Sequence, residues 1–444
     1  DVCSSDLSEK RYTQINYLAN RPAETIEDSW IKKGSTAKRE TWWTGTSTFA
    51  LKKKADGEEV EALNVLATEK RRSDDVDMRK ECKKDLAEWR IADAEEWQKV
   101  TSTDAVRVLS LEESRQVKAQ LQKEGKIDRI LPTKFARRYK PAEQPGQPAV
   151  KKSRLCIRGD LDPDILTLEK FSPTVNTMNL AVMFQIAANE NMLGQIGDLK
   201  NAFCQSGKLE RKSGKLYFRM PAEGIDGVSS EQLVEIVAGC YGLVDAPLHW
   251  RRSLTDFLKS LGYIQSRLDP CLFKLYDDQK ILQGMIAIEV DDLFMVGHSF
   301  HLEKIQQLRE KFVFGKFVTL KETPDGAAFN GRRIKQLQNG EFQIDMQKFV
   351  EERLGELVLE KGRASQRKAE ANEKEVSQAR AVCGALNWLA KEGRPDAAGP
   401  SSLMSSKLAT LKIEDILLLN EVVRNLKKTS KLSLRIQPLR KMKF

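Results

Sequence analysis

Residues 284–297 read Gly-Met-Ile-Ala-Ile-Glu-Val-Asp-Asp-Leu-Phe-Met-Val-Gly, an apolar run that enters and leaves one acidic cluster. The pattern predicts a buried hairpin with Asp291 and Asp292 at its tip and Gly297 closing the second arm. Carboxylates in such a place are costly unless paired or bound to a cation. A third acid, Asp198, ends another short apolar segment, Gln195-Ile-Gly-Asp198-Leu-Lys-Asn-Ala-Phe203. Three carboxylates that meet on strand ends make a hard, oxygen-rich site suited to magnesium, of the kind that two-metal nucleotidyl transfer needs. Asp198 lies far from the pair in sequence, so only a fold brings them together.

The chain is long enough, at 444 residues, for two or three domains with a real core. No run of the ~18 apolar residues that cross a bilayer occurs, so no membrane partner is expected. The formal net charge of +10 suits a polyanionic partner. From Ser401 to Phe444 ten Lys/Arg stand against three Asp/Glu, a pattern that a solvated helical face explains equally well. Seven cysteines, odd in number and never in a C-x-x-C pair, argue against a disulfide framework and for a reducing compartment. With three histidines, a His/Cys zinc site is not expected.

The first seven residues carry no fold signal and resemble a translated sequencing adapter, so they are set aside as a scar and the true N-terminus is expected to be missing. Residues 8 to about 75 read as a flexible or partly helical linker with Trp30, Trp42 and Trp43 as isolated anchors. A helical pattern spans Asp74–Glu124, with Trp89 and Trp97 on one face as core. Strands and loops follow over 125–175, then a helix over Met178–Asn189 capped by Asn176-Thr177. Further on, the spacing predicts a strand into Asp198 and another over Leu216–Met220. A helix over Ala246–Leu261 carries Trp250, Leu254, Phe257, Leu258 and Leu261 on its apolar face. Strands Cys271–Tyr276, Ile281–Val290 and Leu293–Gly297, a helix His301–Phe312 and a hairpin Ala327–Ile344 complete this part. After residue 346 the chain reads as mostly helical, with 360–377 as exposed linker or solvated helix. Helices interleaved with antiparallel hairpins give an α+β domain with Asp198 and the acidic turn on neighbouring strands.

These segments resemble, in order, those of the reverse transcriptase of copia-type retrotransposons. Lys152-Ser-Arg-Leu-Cys-Ile-Arg-Gly159 is similar to the family's basic fingers strand and Phe171-Ser-Pro-Thr-Val to its "F-S-P-V-V". Asp198-Leu-Lys-Asn-Ala-Phe is similar to "D-V-K-N-A-F", Tyr241-Gly-Leu-Val-Asp-Ala-Pro to "Y-G-L-K-Q-A-P", and Val290-Asp-Asp to "Y-V-D-D". Arg394-Pro-Asp396 and Leu403–Leu408 resemble the helical region beyond the polymerase. The resemblance covers about residues 80–435.

It implies a right-hand polymerase fold, with fingers and an antiparallel-sheet palm over 76–345. A helical thumb and connection region follows over 346–444. It implies an RNA-directed DNA polymerase that uses dNTPs, an RNA or DNA primer-template and magnesium, with manganese as the substitute. Asp198 and Asp291 would hold the metals and Asp292 would complete the triad. Lys152 and Arg154, two apart and so on one strand face, would grip the triphosphate, with Arg158 a weaker candidate. Phe203 would be the steric gate against ribonucleotides, and Tyr241-Gly242 would line the nucleotide pocket. Phe329, Asn330 and Gly331 would position the primer terminus. An Asp-Asp turn, an exposed basic strand and an ordinary core Phe remain the plainer alternatives. The cytoplasm, a retrotransposon particle or the nucleus would be the location. No RNase H carboxylate cluster precedes Phe444, so a fragment of a polyprotein is expected.

Two positions depart from the family inside the site. Glu289 stands where Tyr is usual, and strand alternation puts it on the side of Asp291. Asp245 stands where Gln is usual, beside the expected triphosphate. Both keep open the alternative of a decayed copy that holds the fold and binds nucleic acid without catalysis.

Overall fold

The computed structural model describes residues 81–140 and 149–439, with Val76, Met78 and the backbone of three strands, Thr41–Thr44, Ser47–Lys53 and Val60–Asn64. Those strands form an antiparallel meander within the stretch expected as linker. Residues 1–7 and Trp30 lie outside the described residues. The chain divides by contacts rather than by order: residues 1–168 with 210–244 form one unit, and 169–209 with 245–444 form the other.

In the first unit the expected helical stretch holds two helices, Lys83–Thr101 and Leu111–Lys123, separated where Val106–Val108 pairs as a strand with Leu233–Ile236. Ser110 starts the second helix with a capping box to Glu113. Strand Thr133–Lys140 pairs with Val150–Ile157, and the odd-numbered side of the latter packs on helix Lys83–Thr101. Trp89 is fully buried there, as core packing required. Asp93 accepts from Arg137 (2.6 Å) and Ser153 (2.5 Å) beneath the hairpin. Removing one partner of such a buried pair typically costs about 3–5 kcal/mol.

The second unit is built on a six-stranded sheet. Its order is Ile264–Gln265, Leu272–Tyr276, Leu282–Glu289, Asp292–Gly297, Leu193–Leu199 and Phe314–Thr319, and every pairing is antiparallel. The expected hairpin and its neighbour Leu193–Leu199 are therefore central. Phe184, from helix Thr177–Asn189, meets Phe294 at 4.6 Å and Phe342 at 5.3 Å between ring centroids. Each ring so buried contributes about 1.5–3 kcal/mol. The expected hairpin over Ala327–Ile344 is three strands, and a fourth, Ser433–Ile436, returns from the end of the helical region to pair with Phe342–Asp345. Helices Glu373–Glu392, Ala398–Lys407 and Ile413–Lys428 gather a separate apolar cluster that includes Leu386, Leu389, Ile416 and Leu419.

At the end of the acidic hairpin away from its turn, Gly284 sits directly opposite Gly297. A Cβ on either would fall within 2.4 Å of the His301 ring, so the two glycines form the slot that the ring fills. His301 is fully buried, its Nδ1 2.8 Å from the Tyr263 hydroxyl. Burial, aided by His298, holds its pKa down at about 3, below the usual 6.5. The unfolded chain therefore takes up a proton near pH 6.5 that the folded one refuses until about 3. Stability from this site is full above pH 6.5 and is lost as pH falls towards 3, by up to about 1.4 kcal/mol per pH unit. Urea unfolding at pH 7 and pH 5 checks this: His301→Gln, neutral throughout, should lack that slope, and equal slopes would discount the buried histidine.

Candidate active site

The acid end of the hairpin is a two-residue turn, Val290-Asp291, closed by the pair Glu289 and Asp292. Val290 has φ +59°, a conformation that a β-branched side chain rarely adopts. Two backbone-level restraints hold it. The Val290 carbonyl accepts from the Trp250 indole at 2.9 Å, and the Asp291 carbonyl accepts from the Leu199 amide at 2.8 Å. Asp292 is the direct cross-strand partner of Asp198 as well as of Glu289. Directly paired residues share a sheet face, so Glu289, Asp292 and Asp198 form a row across three strands, with Lys316 continuing it as the partner of Asp198.

That row corrects the expected place of Glu289. Strand alternation stops at the turn, so its neighbour is Asp292 rather than Asp291. Burial pushes the Glu289 carboxyl up to about 7, against the pull of Arg332, and its Oε2 is buried with no hydrogen-bond partner among the described residues. Arg332 is itself buried in an ion pair with Glu392. Asp245 also differs from expectation. It is 1% exposed, and its carboxylate contacts His249 Nε2 at 2.9 Å one helical turn on, so it does not stand bare for a triphosphate to meet.

Burial pushes Asp292 up to about 7 as well, and the charges acting on it, Asp291 and then Asp198, push the same way. A divalent cation relieves such accumulated negative charge, and an all-oxygen donor set is the one magnesium prefers. The residues therefore fit the ion the resemblance implies. Among the described residues, no group of three or more His, Cys, Asp or Glu side chains is placed to hold a metal ion. The backbone register sets Asp198 beside Asp292, with Asp291 on the adjoining turn.

Several residues that shape this end carry little local signal. Gly315 lies at an irregularity in the pairing of Phe314–Thr319 with Leu193–Leu199, between Phe314 and Lys316. A Cβ there would come within 2.9 Å of Asp198 Oδ2, so the glycine clears the carboxylate's place. Bulges beside active sites re-aim side chains in this way. Phe203 sits on the one-turn helix Ala202–Gln205, half-buried against the sheet's apolar core. Of the expected primer-positioning trio, Phe329 is 1% exposed and packs on Phe294, so its ring belongs to the core. Asn330 (φ +47°) and Gly331 (φ +75°) make the turn between Phe329 and Arg332, as an Asn-Gly hairpin requires.

In the first unit, Lys152 and Arg154 are both exposed while Ser153 and Leu155 between and beyond them are buried, so the expected shared face is present. Arg138 is the direct partner of Lys152, placing two cations opposite each other on that face. Like charges directly opposite one another are destabilising. Arg154 lies over the Tyr241 ring at 5.2 Å, and the Tyr241 carbonyl accepts from the Ile157 amide at 2.8 Å. Gly242, at φ +99°, would place a Cβ 2.0 Å from the Ile157 carbonyl oxygen. Its missing side chain thus makes room for the protein's own strand. Arg158 is engaged by Asp160 at 2.7 Å and leaves the shared face to the other cations.

Comparison with known proteins completes the assignment. The profile of a family described as "Reverse transcriptase (RNA-dependent DNA polymerase)" matches residues 119–364, more than half of the chain. The Pol polyprotein of transposon TNT 1-94 from Nicotiana tabacum is 30% identical over 149 residues, covering 33% of this chain and 11% of that protein. A putative transposon Ty5-1 protein of Saccharomyces cerevisiae is 26% identical over 201 residues, covering 43% of this chain and 63% of its own length. The chain thus spans from about a tenth to under two thirds of these relatives. A foamy viral protease-reverse transcriptase, solved with double-stranded DNA, aligns at a TM-score of 0.38 and 15% identity over 71% of this chain and 47% of its own. The ordered motifs, the sheet that carries the acid row and the matched profile agree: the chain belongs to the reverse transcriptase (RNA-dependent DNA polymerase) family.

Proposed function

We propose that this chain is an RNA-directed DNA polymerase that extends a primer by two-metal nucleotidyl transfer. The single observation that carries the reading is the cross-strand register that sets Asp198 beside Asp292 with Asp291 on the adjoining turn. Asp198 and Asp291 would hold the divalent ions, magnesium or in its place manganese, and Asp292 would complete the acidic set. Bound there, such ions lower the pKa of an attacking hydroxyl and neutralise a leaving pyrophosphate. Lys152 and Arg154, supported by Arg138 on the same face, would hold the triphosphate of a dNTP, Arg154 through two parallel hydrogen bonds. The Tyr241 ring under Arg154 orients that guanidinium. Phe203, fixed by the short helix Ala202–Gln205, would meet the sugar and exclude a 2′-hydroxyl. Asn330, half-buried, and Gly331, exposed, at a hairpin tip, would touch the primer. An intracellular, reducing location accords with the cysteine pattern.

Primer extension on RNA and DNA templates with magnesium and dNTPs tests this reading. Incorporation that stops on chelation supports it. Well-folded protein that binds primer-template in a salt-sensitive way yet adds no nucleotide sinks it in favour of a binding protein without catalysis.

A further inference from the structure

We infer that Trp250 is a positioning residue for the two adjacent acids: its indole N–H, by donating to the Val290 carbonyl, fixes the turn on which Asp291 and Asp292 stand. This rests on the polymerase reading above and names what holds that site in shape. Trp250 lies on helix Ala246–Ser260, is 1% exposed, and has its ring set edge-on to Phe312 at 5.1 Å. Its one polar atom reaches 2.9 Å to a carbonyl of the catalytic turn. A buried indole N–H needs an acceptor wherever it lies, and here the acceptor is the carbonyl of a turn residue at positive φ.

What it meets is the strained residue, Val290 at φ +59°. Relaxation of Val290 to a negative φ would reorient the Val290–Asp291 peptide and swing the Asp291 side chain with it. The Asp291 carbonyl is held by the Leu199 amide, a bond that any residue at 199 other than proline supplies. The Val290 carbonyl depends on a side chain. Strain of this kind persists only where surrounding contacts over-determine it, and the Trp250 bond is such a contact.

Trp250→Phe keeps most of the packing and removes the donor. With the intact chain, Mn2+ affinity, read from the free-ion electron resonance signal, should fall several-fold. In primer extension kcat should fall about tenfold, the effect of one such hydrogen bond, with dNTP KM nearly unchanged and the melting temperature lowered by the few degrees that the lost volume and unpaired carbonyl cost. Adding Val290→Gly should restore both readouts, because glycine adopts a positive φ without strain. A role in packing alone predicts no such rescue. If Trp250→Phe fails to fold, benzothienylalanine at 250 replaces the N–H by sulfur within the same ring outline. Wild-type kcat and Mn2+ affinity in either variant, or loss without rescue, overturns the inference while leaving the polymerase reading intact. Wild-type protein that neither binds Mn2+ nor extends a primer overturns both.

Discussion

Asp291→Asn is expected to reduce magnesium-dependent primer extension by at least about a thousandfold, the several kcal/mol that a metal-held transition-state charge is worth, while primer-template affinity changes little. The substitution is nearly isosteric. The turn's conformation is held through main-chain carbonyls, that of Val290 by Trp250 and that of Asp291 by Leu199. What changes is charge and the number of anionic oxygens. Asp291 is the largest of the neighbouring charges that push Asp292 up, so the variant should also let Asp292 ionise at lower pH. Folding should be unharmed or slightly improved, since a like charge leaves a crowded site. Activity within tenfold of wild type would falsify the assignment of Asp291 as a metal ligand. Loss of binding along with activity would instead point to a turn needed for the fold.

Much of this site was legible in the sequence because its elements are written in local periodicity. An apolar run broken by Asp-Asp admits few structures other than a buried hairpin, and the even-numbered cations Lys152 and Arg154 fall on one side of any strand. Trp250 was legible as core, because helical spacing shows which face is buried; it does not show where an indole N–H points. Long-range register decided the remainder. Phe314–Thr319 is a short, half-exposed strand interrupted at Gly315, and only its pairing with Leu193–Leu199 makes it one. Ser433–Ile436 is a strand only because Phe342–Asp345 offers an edge. Glu289 shows the limit of alternation: the rule holds along a strand and fails at the turn, where the partner across the hairpin takes over. Phe329 shows another limit, since a motif marks a hairpin without saying which of its residues turns inward.

Gly242→Ala is expected to destabilise the first unit by about 3 kcal/mol or more, the sum of backbone strain at a positive φ and displacement of packed neighbours. At φ +99° an alanine is strained whatever the space around it, and here the space is taken. The new Cβ would meet the Ile157 carbonyl oxygen at 2.0 Å and its amide nitrogen at 2.7 Å, both main-chain atoms that have no rotamer to retreat into. Gly159 completes the contact from the other side, where a Cβ would fall 2.2 Å from the Gly242 carbonyl oxygen. To accept alanine, the chain at 241–243 must move off the strand Val150–Ile157, breaking the 2.8 Å bond from the Ile157 amide to Tyr241. Tyr241 would then slide from beneath Arg154, so dNTP KM should rise even in protein that still folds. Gly125→Ala is the control within the same unit, because Gly125 also has a positive φ (+69°) but nothing within 4 Å of its added Cβ. That variant should cost about 1 kcal/mol, strain without collision. Urea unfolding of the two variants separates the contributions. Equal losses would mean that the contact with Ile157 is not what requires glycine at 242.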